Sequence, residues 1–247
     1  MQLAAVVDAI AQHADPARAA VQQRFFQTQP GGYAEGDVFV GVPSPVLRAV
    51  AKDFAASYIR RRALVEGRTL AEALAVLDAL LADGIHERRM VALMALVLVA
   101  KVFPAEALAF YLRHTAAVNN WDLVDVSCVA VVGEAVRTGD RALLDRLARS
   151  ESLWERRIAV VSTLALVRAG ESADALRLCE ALLGDRHHLI HKACGWVLRE
   201  VGKRDAAALR GFLRAHAAAM PGVMFSYATE RLGAAEKAAL KALRRRR

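Results

Sequence analysis

The sequence has few of the residues on which small secreted or redox proteins depend: of its 247 residues, three are cysteine and six are proline. Cys128, Cys179 and Cys194 are far apart, form no CxxC pair and have apolar neighbours. This pattern predicts reduced thiols in the core of a cytoplasmic protein and excludes a disulfide framework. Strand-like runs of alternating Val, Ile and Thr are nearly absent, so the composition favours helix.

Long uncharged apolar segments are also missing. The longest, residues 90–100, is bracketed by Arg89 and Lys101 and is too short to cross a bilayer. The N-terminal segment has no basic leader and carries Asp8 within its apolar run, which argues against a signal peptide. Walker loops, glycine fingerprints and Ser-His-Asp patterns are absent too. We therefore expect a soluble, monomeric protein that uses no nucleotide cofactor and does not bind a membrane.

The chain is basic, with a formal net charge of +8 and a pI near 9.9. Four of its positive charges lie in the terminal Arg244–Arg247. An excess of this kind favours a polyanionic partner such as nucleic acid. The alternative is that the charge only keeps the protein in solution and that the arginines form a disordered tail.

Caps and helix breakers predict an all-α chain with a single domain over residues 1–243 and a basic tail over 244–247. Ser152 and Glu155 have the spacing of a capping box, and Asn119 or Asn120 can cap the helix that contains Trp121. The predicted helices span residues 2–13, 16–27, 44–62, 69–82, 85–102, 105–116, 120–136, 140–149, 153–169, 172–184, 187–202, 205–217, 221–232 and 234–243.

The second helices of successive pairs resemble one another. When their apolar positions are aligned, Arg89, Asp125, Arg157 and Lys192 occupy equivalent places, separated by 36, 32 and 35 residues. This spacing is typical of an α-solenoid, a superhelix of HEAT-like helical pairs whose second helices line a concave groove. A basic groove suits a phosphate backbone. The alternative is that these residues are solvated charges without a ligand.

Trp121 and Asp125 are four residues apart, so they lie on one face of a helix. An indole attracts a cation or stacks on a base or sugar, and a carboxylate one turn away stabilises positive charge or orients a water. Arg157, at the equivalent place in the next repeat, is a candidate phosphate ligand. The alternative is a structural Asp–Arg bridge beside a capping Trp. Asp122, in the first helical turn, is interpreted as structural.

A second candidate strip contains Lys192, Trp196 and Arg199, with Gly195 inside the same helix, where glycine permits close approach of another backbone. Trp196 is either an aromatic residue of the groove or a buried packing residue. The neighbouring histidines, His187, His188 and His191, lack acidic or cysteine ligands apart from Asp185, so we expect no metal site and assign His191 to the phosphate-facing surface.

The glycine-rich and proline-rich loop of residues 27–48 is interpreted as an ordered lid or edge plug, because its aromatic residues Tyr33 and Phe39 require burial. Pro45, following Ser44, marks the first turn of the next helix.

Four motifs in order along the chain, YAEGDVFVGVPSPVLR, NNWDLVDVS, LWERRIAVV and IHKACGWVLREVGK, resemble the AlkD-type DNA alkylation repair proteins, which are DNA glycosylases built from HEAT-like repeats. The resemblance covers roughly residues 15–232. It implies base excision repair of duplex DNA by removal of cationic N-alkylated purines, such as 3-methyladenine and 7-methylguanine, without metal or cofactor.

The resemblance also implies roles for particular residues. Trp121 and Asp125 occupy the positions of the catalytic Trp and Asp, Arg157 that of the phosphate-holding Arg, and Trp196 that of a second groove Trp. Intact motif positions leave a second hypothesis open, in which the chain is a non-catalytic HEAT-like scaffold that binds DNA or protein through the same groove. The remaining DNA-binding candidates are Lys192, Arg89, Arg199 and His191.

Overall fold

The computed structural model describes residues 1–59 and 69–244. Within these ranges all regular secondary structure is helical, and the only strand-like pairing is an isolated parallel bridge between Val38 and Ile85. The predicted all-α class is confirmed.

In chain order, the α-helices are α1 (Leu3–Ala11), α2 (Pro16–Phe25), α3 (Ser44–Ile59), α4 (Leu70–Leu81), α5 (His86–Val99), α6 (Pro104–Arg113), α7 (Trp121–Cys128), α8 (Glu134–Thr138), α9 (Ala142–Ala148), α10 (Leu153–Ser162), α11 (Leu164–Arg168), α12 (Ala173–Ala181), α13 (His188–Arg204), α14 (Ala206–His216), α15 (Gly222–Ala228) and α16 (Ala234–Arg244).

Helix starts follow the local capping chemistry that the sequence indicates. Ser152 accepts a hydrogen bond from the backbone N–H of Glu155 at 3.4 Å, and Asn120 Oδ1 accepts from Trp121 N at 2.8 Å. Thr69 and Glu72 form a complete capping box at α4. These side chains satisfy backbone donors that the first helical turn leaves without partners. The last three residues of the predicted helix 44–62 lie outside the described ranges.

The chain divides into two compact units, Met1–Ser127 and Cys128–Arg247. In the first unit α5 packs against α3 and α4, and α1 packs against α3. Its core contains large side chains that are at most 2% exposed, such as Phe54, Leu77 and Tyr111. A single domain over residues 1–243 was the expectation from the sequence, and it stays a prediction.

In the second unit α10 packs against α9 and α13, and α13 also packs against α14 and α15. Gly195 permits the close approach of α13 and α15, because a Cβ at this position would lie 2.6 Å from the Cβ of Tyr227 and 2.7 Å from the carbonyl oxygen of Met224. The sequence-based interpretation of Gly195 as a close-contact residue of its helix is therefore confirmed.

The predicted helix 120–136 is not a continuous α-helix. A π-helical segment, Val129–Gly133, separates α7 from α8. The buried hydroxyl of Ser162 donates to the carbonyl of Cys128 at 3.3 Å, immediately before this segment. A side chain that bonds to a helical carbonyl locally changes the hydrogen-bond register, which accounts for the interruption.

Arg244 is the last residue of α16 and belongs to the folded chain, although we had assigned it to the basic tail. Its guanidinium donates to the carbonyls of Ala217 and Met220, at 2.7 and 2.6 Å, and lies 4.7 Å from the centroid of the Phe225 ring.

Among the described residues, no helix combines the length and the apolar composition that a membrane span requires.

Candidate functional site

Trp121 and Asp125 occupy α7 as the sequence predicts. Trp121 is the first residue of this helix and Asp125 lies one turn further on. Both side chains are partly exposed, whereas Leu123 and Val124 between them are buried. Residues four apart on a helix point to the same side, so an indole and a carboxylate lie next to each other at the surface of the first unit.

Aromatic packing and one hydrogen bond fix the indole of Trp121. The Phe26 ring stacks on it, with centroids 5.3 Å apart and an interplanar angle of 23°, while Phe25 meets it edge-on at 6.1 Å. Trp121 Nε1 donates to the hydroxyl of Tyr33 at 3.2 Å, and this hydroxyl donates to the carbonyl of Phe25 at 3.3 Å. The orientation of the indole therefore depends on α2 and on the loop that follows it.

This loop packs as the edge plug that its composition predicts. Tyr33 and Trp121 pack against a buried cluster formed by Ala19, Phe26, Ala34 and Phe39.

A buried glutamate holds the loop against α5. The carboxylate of Glu87, 1% exposed, accepts hydrogen bonds from three consecutive backbone amides: Val40 at 3.0 Å, Gly41 at 2.7 Å and Val42 at 3.3 Å. Gly41 has φ +84°, and a Cβ at this position would lie 2.1 Å from the carbonyl oxygen of Asp15. Only glycine fits there, so the loop can contact both α5 and the start of α2.

A buried histidine connects this loop to α7. His86 Nδ1 lies 3.1 Å from Asp37 Oδ2, and its Nε2 lies 2.9 Å from Asp122 Oδ2. Burial by itself would lower the pKa of His86, but the hydrogen bonds to Asp122 and Asp37 and the charges of these carboxylates raise it to about 9. At neutral pH both ring nitrogens are therefore protonated, and each donates to a carboxylate.

Asp37 is the centre of the polar network. Its side chain accepts hydrogen bonds from Arg89 at 2.7 Å, from Asn119 at 3.0 Å and from Asn120 at 3.3 Å, in addition to that from His86. Burial would raise the pKa of Asp37, but the His86 hydrogen bond and the charge of Arg89 outweigh it and lower the pKa to about 2. One carboxylate thus joins the loop, α5 and the residues that precede α7.

Arg89 is buried, although its place in the repeat predicts a position in the DNA-binding groove. Its side chain is only 7% exposed. Its guanidinium donates to Asp37, to Asn119 and to the carbonyl of Gly84. In this conformation Arg89 stabilises the buried network of the first unit and presents little surface to a ligand.

In the second unit, Arg157 is also buried, with 5% of its surface exposed, and its Nη1 donates to the carbonyl of Leu189 at 2.8 Å. Lys192 and Trp196 are partly exposed. Trp196 lines a cleft of roughly 280 Å³, together with Leu164, Val167, Arg168, Glu200 and Arg204. Part of this indole is therefore accessible to a ligand, unlike a fully buried residue of the core.

The other two candidates of the second unit have polar surroundings. Arg199 forms ion pairs with Glu230 and, at 3.7 Å, with Glu200, so its charge is largely balanced. Nε2 of His191 is buried and has no hydrogen-bond partner among the described residues. His187 instead caps α13, because its Nδ1 accepts from the backbone N–H of Leu189 at 3.2 Å. In the described ranges, no three His, Cys, Asp or Glu side chains form a group that could hold a metal ion.

Comparison with known proteins identifies the family. A family model described as DNA alkylation repair enzyme matches residues 6–232. The chain belongs to this family. Repair of alkylated DNA is therefore the function that its membership supports.

Two solved structures resemble this family member. A predicted DNA alkylation repair enzyme from Enterococcus faecalis is 17% identical, with a TM-score of 0.68, over 90% of this chain and 98% of that one. At this identity the likeness shows the fold alone. The structure of smu.31 from Streptococcus mutans UA159 is 18% identical, with a TM-score of 0.47, over 82% of this chain and 97% of that one. No curated protein matches the chain.

The sequence analysis does not identify His86 and Asp37, which form the polar network behind Trp121 in this DNA alkylation repair protein. A signal for His86 exists. His86 and Asp122 are 36 residues apart, the same separation as Arg89 and Asp125, so they occupy equivalent positions in successive second helices. A histidine and an acid at one repeat spacing are candidates for a direct pair.

Proposed function

We propose that this family member is a DNA glycosylase that removes cationic N-alkylated purines, 3-methyladenine and 7-methylguanine, from duplex DNA. The observation that carries the proposal is the pairing on α7 of a partly exposed carboxylate, Asp125, with a partly exposed indole, Trp121, one helical turn away. The indole is held by Phe26 and Tyr33 before any ligand arrives. Groups that are already held in place stabilise a charge that develops during the reaction without having to reorganise first.

The chemistry follows from the charge of the damaged base. Alkylation of a ring nitrogen makes the purine cationic, so the N-glycosidic bond breaks with its electron pair moving to the base, which leaves as a neutral alkylpurine. Positive charge then develops on the deoxyribose as an oxocarbenium ion. The Asp125 carboxylate stabilises this charge and orients the water that attacks C1′ and loses a proton, while the face of Trp121 contributes to stabilising the sugar cation.

The basic residues receive different roles in the proposal. The DNA backbone and bases are bound by Lys192, Trp196, Arg199 and His191. Arg157, on α10, holds a phosphate near the start of α13, where its guanidinium donates to the carbonyl of Leu189. Arg89 is proposed as a positioning residue, since its guanidinium is taken up by Asp37 and Asn119. The net charge of +8 favours binding of a polyanion.

The decisive experiment measures release of 7-methylguanine from a methylated duplex by the wild-type protein and by Asp125→Asn. We expect the wild type to exceed the spontaneous rate, and the variant to be slower by about 100-fold or more, because it loses the charge that stabilises the oxocarbenium ion. Asp53→Asn is the matched control: Asp53 is an exposed carboxylate on α3, and its replacement should leave the rate unchanged.

Two outcomes would contradict the proposal. Release by the wild type at no more than the spontaneous rate, with DNA binding intact, would leave the non-catalytic DNA-binding scaffold as the function. Equal rates for Asp125→Asn and Asp53→Asn would remove Asp125 from the mechanism.

A further inference from the structure

A cleft between α15 and α16, within the second unit, collects positive charge. Its volume is roughly 340 Å³. The side chains that line it from the two helices are Phe225, Ser226, Thr229, Lys237, Lys241 and Arg244. None of the described residues that line the cleft is acidic, so no carboxylate within it offsets the three cations.

Two of these cations are held in place before any ligand binds. The guanidinium of Arg244 donates to two backbone carbonyls and lies over the Phe225 ring. Nζ of Lys237 donates to the backbone carbonyl of Glu230 at 2.9 Å. Because a backbone carbonyl has no net charge, both side chains keep their full positive charge. An anion that enters the cleft meets ordered cations, which lowers the entropic cost of binding.

The structure of α16 does not by itself account for this cluster. Lys241 and Arg244 lie in the last turn of the helix, where the helix dipole favours a cation. Lys237 is the fourth residue of the helix, near the end where the dipole disfavours one. Glu236, the residue before Lys237, pairs with Arg210 at 2.7 Å. Binding of an anion explains why three cations face one cleft.

The neighbours of the cleft indicate the source of the anion. Helix α15 packs against α13, which carries Lys192 and Trp196. Tyr227 follows Lys192 by 35 residues, the spacing of the second helices, so α15 continues the series that is proposed to face DNA. Ser226, the residue before Tyr227, offers a hydroxyl to the cleft. Lysine, arginine and serine side chains commonly bind the phosphate oxygens of DNA.

We propose that the cleft between α15 and α16 binds a phosphate of the DNA backbone, outside the segment of duplex that contacts Lys192 and Trp196. The inference rests on the part of the proposed function that places duplex DNA against the second unit, and it does not require excision. A phosphate contact carries no sequence information, so the cleft holds the duplex whether or not a lesion is present.

Fluorescence anisotropy with an undamaged duplex, over a series of salt concentrations, tests the site. The double variant Lys237→Gln, Lys241→Gln should bind about tenfold more weakly at physiological salt. Its slope of log Kd against log salt should be shallower by about 1, because one phosphate contact no longer releases counterions. The single variant Lys241→Arg should retain both wild-type values, since it keeps the charge.

The matched control removes two charges elsewhere in the second unit. Arg146 and Arg149 are exposed and lie in and directly after α9, a first helix of its pair, which the repeat pattern places away from the groove. The double variant Arg146→Gln, Arg149→Gln should leave the slope unchanged. The thermal midpoint of the lysine variant should not fall, because the substitutions remove cations that repel one another.

The inference is overturned if the lysine variant and the arginine control have the same Kd and the same slope. Calorimetric titration with inorganic phosphate separates a backbone phosphate from a free one. Binding of free phosphate that depends on Lys237 and Lys241, with DNA binding that does not, would also overturn the inference.

Its failure is distinguishable from that of the proposed function, because the duplex contains no lesion. A protein whose DNA binding depends on the two lysines but that releases no 7-methylguanine contradicts only the glycosylase proposal. Excision by a protein whose salt slope is independent of the two lysines contradicts only the role of the cleft.

Discussion

Protonation of His86 should make the stability of the first unit depend on pH. The pKa of His86 is raised to about 9 in the folded protein, against about 6.5 in an unfolded chain. A group whose pKa is raised on folding contributes stability that is fully present below the unfolded value and is lost as the pH rises through the folded one. The contribution of His86 should therefore be intact at pH 6 and absent above pH 9.

The magnitude follows from the two pKa values. At about 1.4 kcal/mol per pH unit, the interval between 6.5 and 9 corresponds to about 3 to 4 kcal/mol, most of which is lost between pH 6 and 9. Since domains are typically stable by about 5 to 15 kcal/mol, such a loss is readily measurable. The side chain of His86 is only 3% exposed, so solvent screens its interactions with Asp37 and Asp122 weakly.

Urea unfolding at pH 6, 7, 8 and 9, for the wild type and for His86→Gln, measures this contribution. The contributions of all other groups are present in both proteins and cancel in the difference. Asp37, whose pKa is lowered to about 2, remains ionised throughout. The wild type should lose about 3 kcal/mol more than the variant between pH 6 and 9. A difference that stays constant within about 0.5 kcal/mol would refute the assignment of a charged His86.

Two further substitutions test the packing around the site and within the second unit. Glu87→Gln should destabilise the protein by about 3 kcal/mol in urea unfolding, because the amide loses the charge that strengthens these hydrogen bonds and places an NH2 group where Oε2 accepts from Val40 N. Unchanged stability would show that the loop does not need this anion. Gly195→Ala should cost about 2 kcal/mol or more despite the better helix propensity of alanine, since its Cβ would overlap Tyr227 and Met224, and a stabilised variant would contradict this.

Most helices could be predicted because their signals are local. Ser152 caps α10 and Asn120 caps α7 through hydrogen bonds to residues at most three positions away. Both partners of each bond therefore lie close together in the sequence. The same holds for Trp121 and Asp125, whose relation depends only on helical periodicity. The π-helical segment was not predicted, because its cause is Ser162, a residue that is 34 positions from Cys128.

The role of Arg89 could not be predicted from its place in the repeat. Alignment of apolar positions shows which side chains begin a second helix, but it does not show what lies opposite them. The partner of Arg89 is Asp37, which is 52 residues away in an irregular loop outside the repeat pattern. The guanidinium of Arg89 therefore pairs with a buried carboxylate of the loop, which the alignment of repeats does not show.

Oppositely charged residues that are one repeat length apart are easier to predict as ion pairs than partners in irregular loops. His114 and Asp78 are 36 residues apart, Arg141 and Asp174 are 33 apart, and each pair lies within hydrogen-bonding distance. Because adjacent helix pairs stack in register, side chains at equivalent positions come close together. Complementary charges at this spacing would have indicated His86 and Asp122 as a pair.

The buried network also explains how a basic protein keeps acids beside a site proposed for DNA. When His86 is protonated, it and Arg89 together carry two positive charges, which cancel the negative charges of Asp37 and Asp122. These two carboxylates therefore repel DNA phosphates far less than exposed carboxylates would. The same network joins the loop that carries Tyr33 to the residues preceding α7. The orientation of the indole thus depends on electrostatics as well as on aromatic packing. Loss of the Asp37 charge should loosen both the loop that carries Tyr33 and the residues that precede α7.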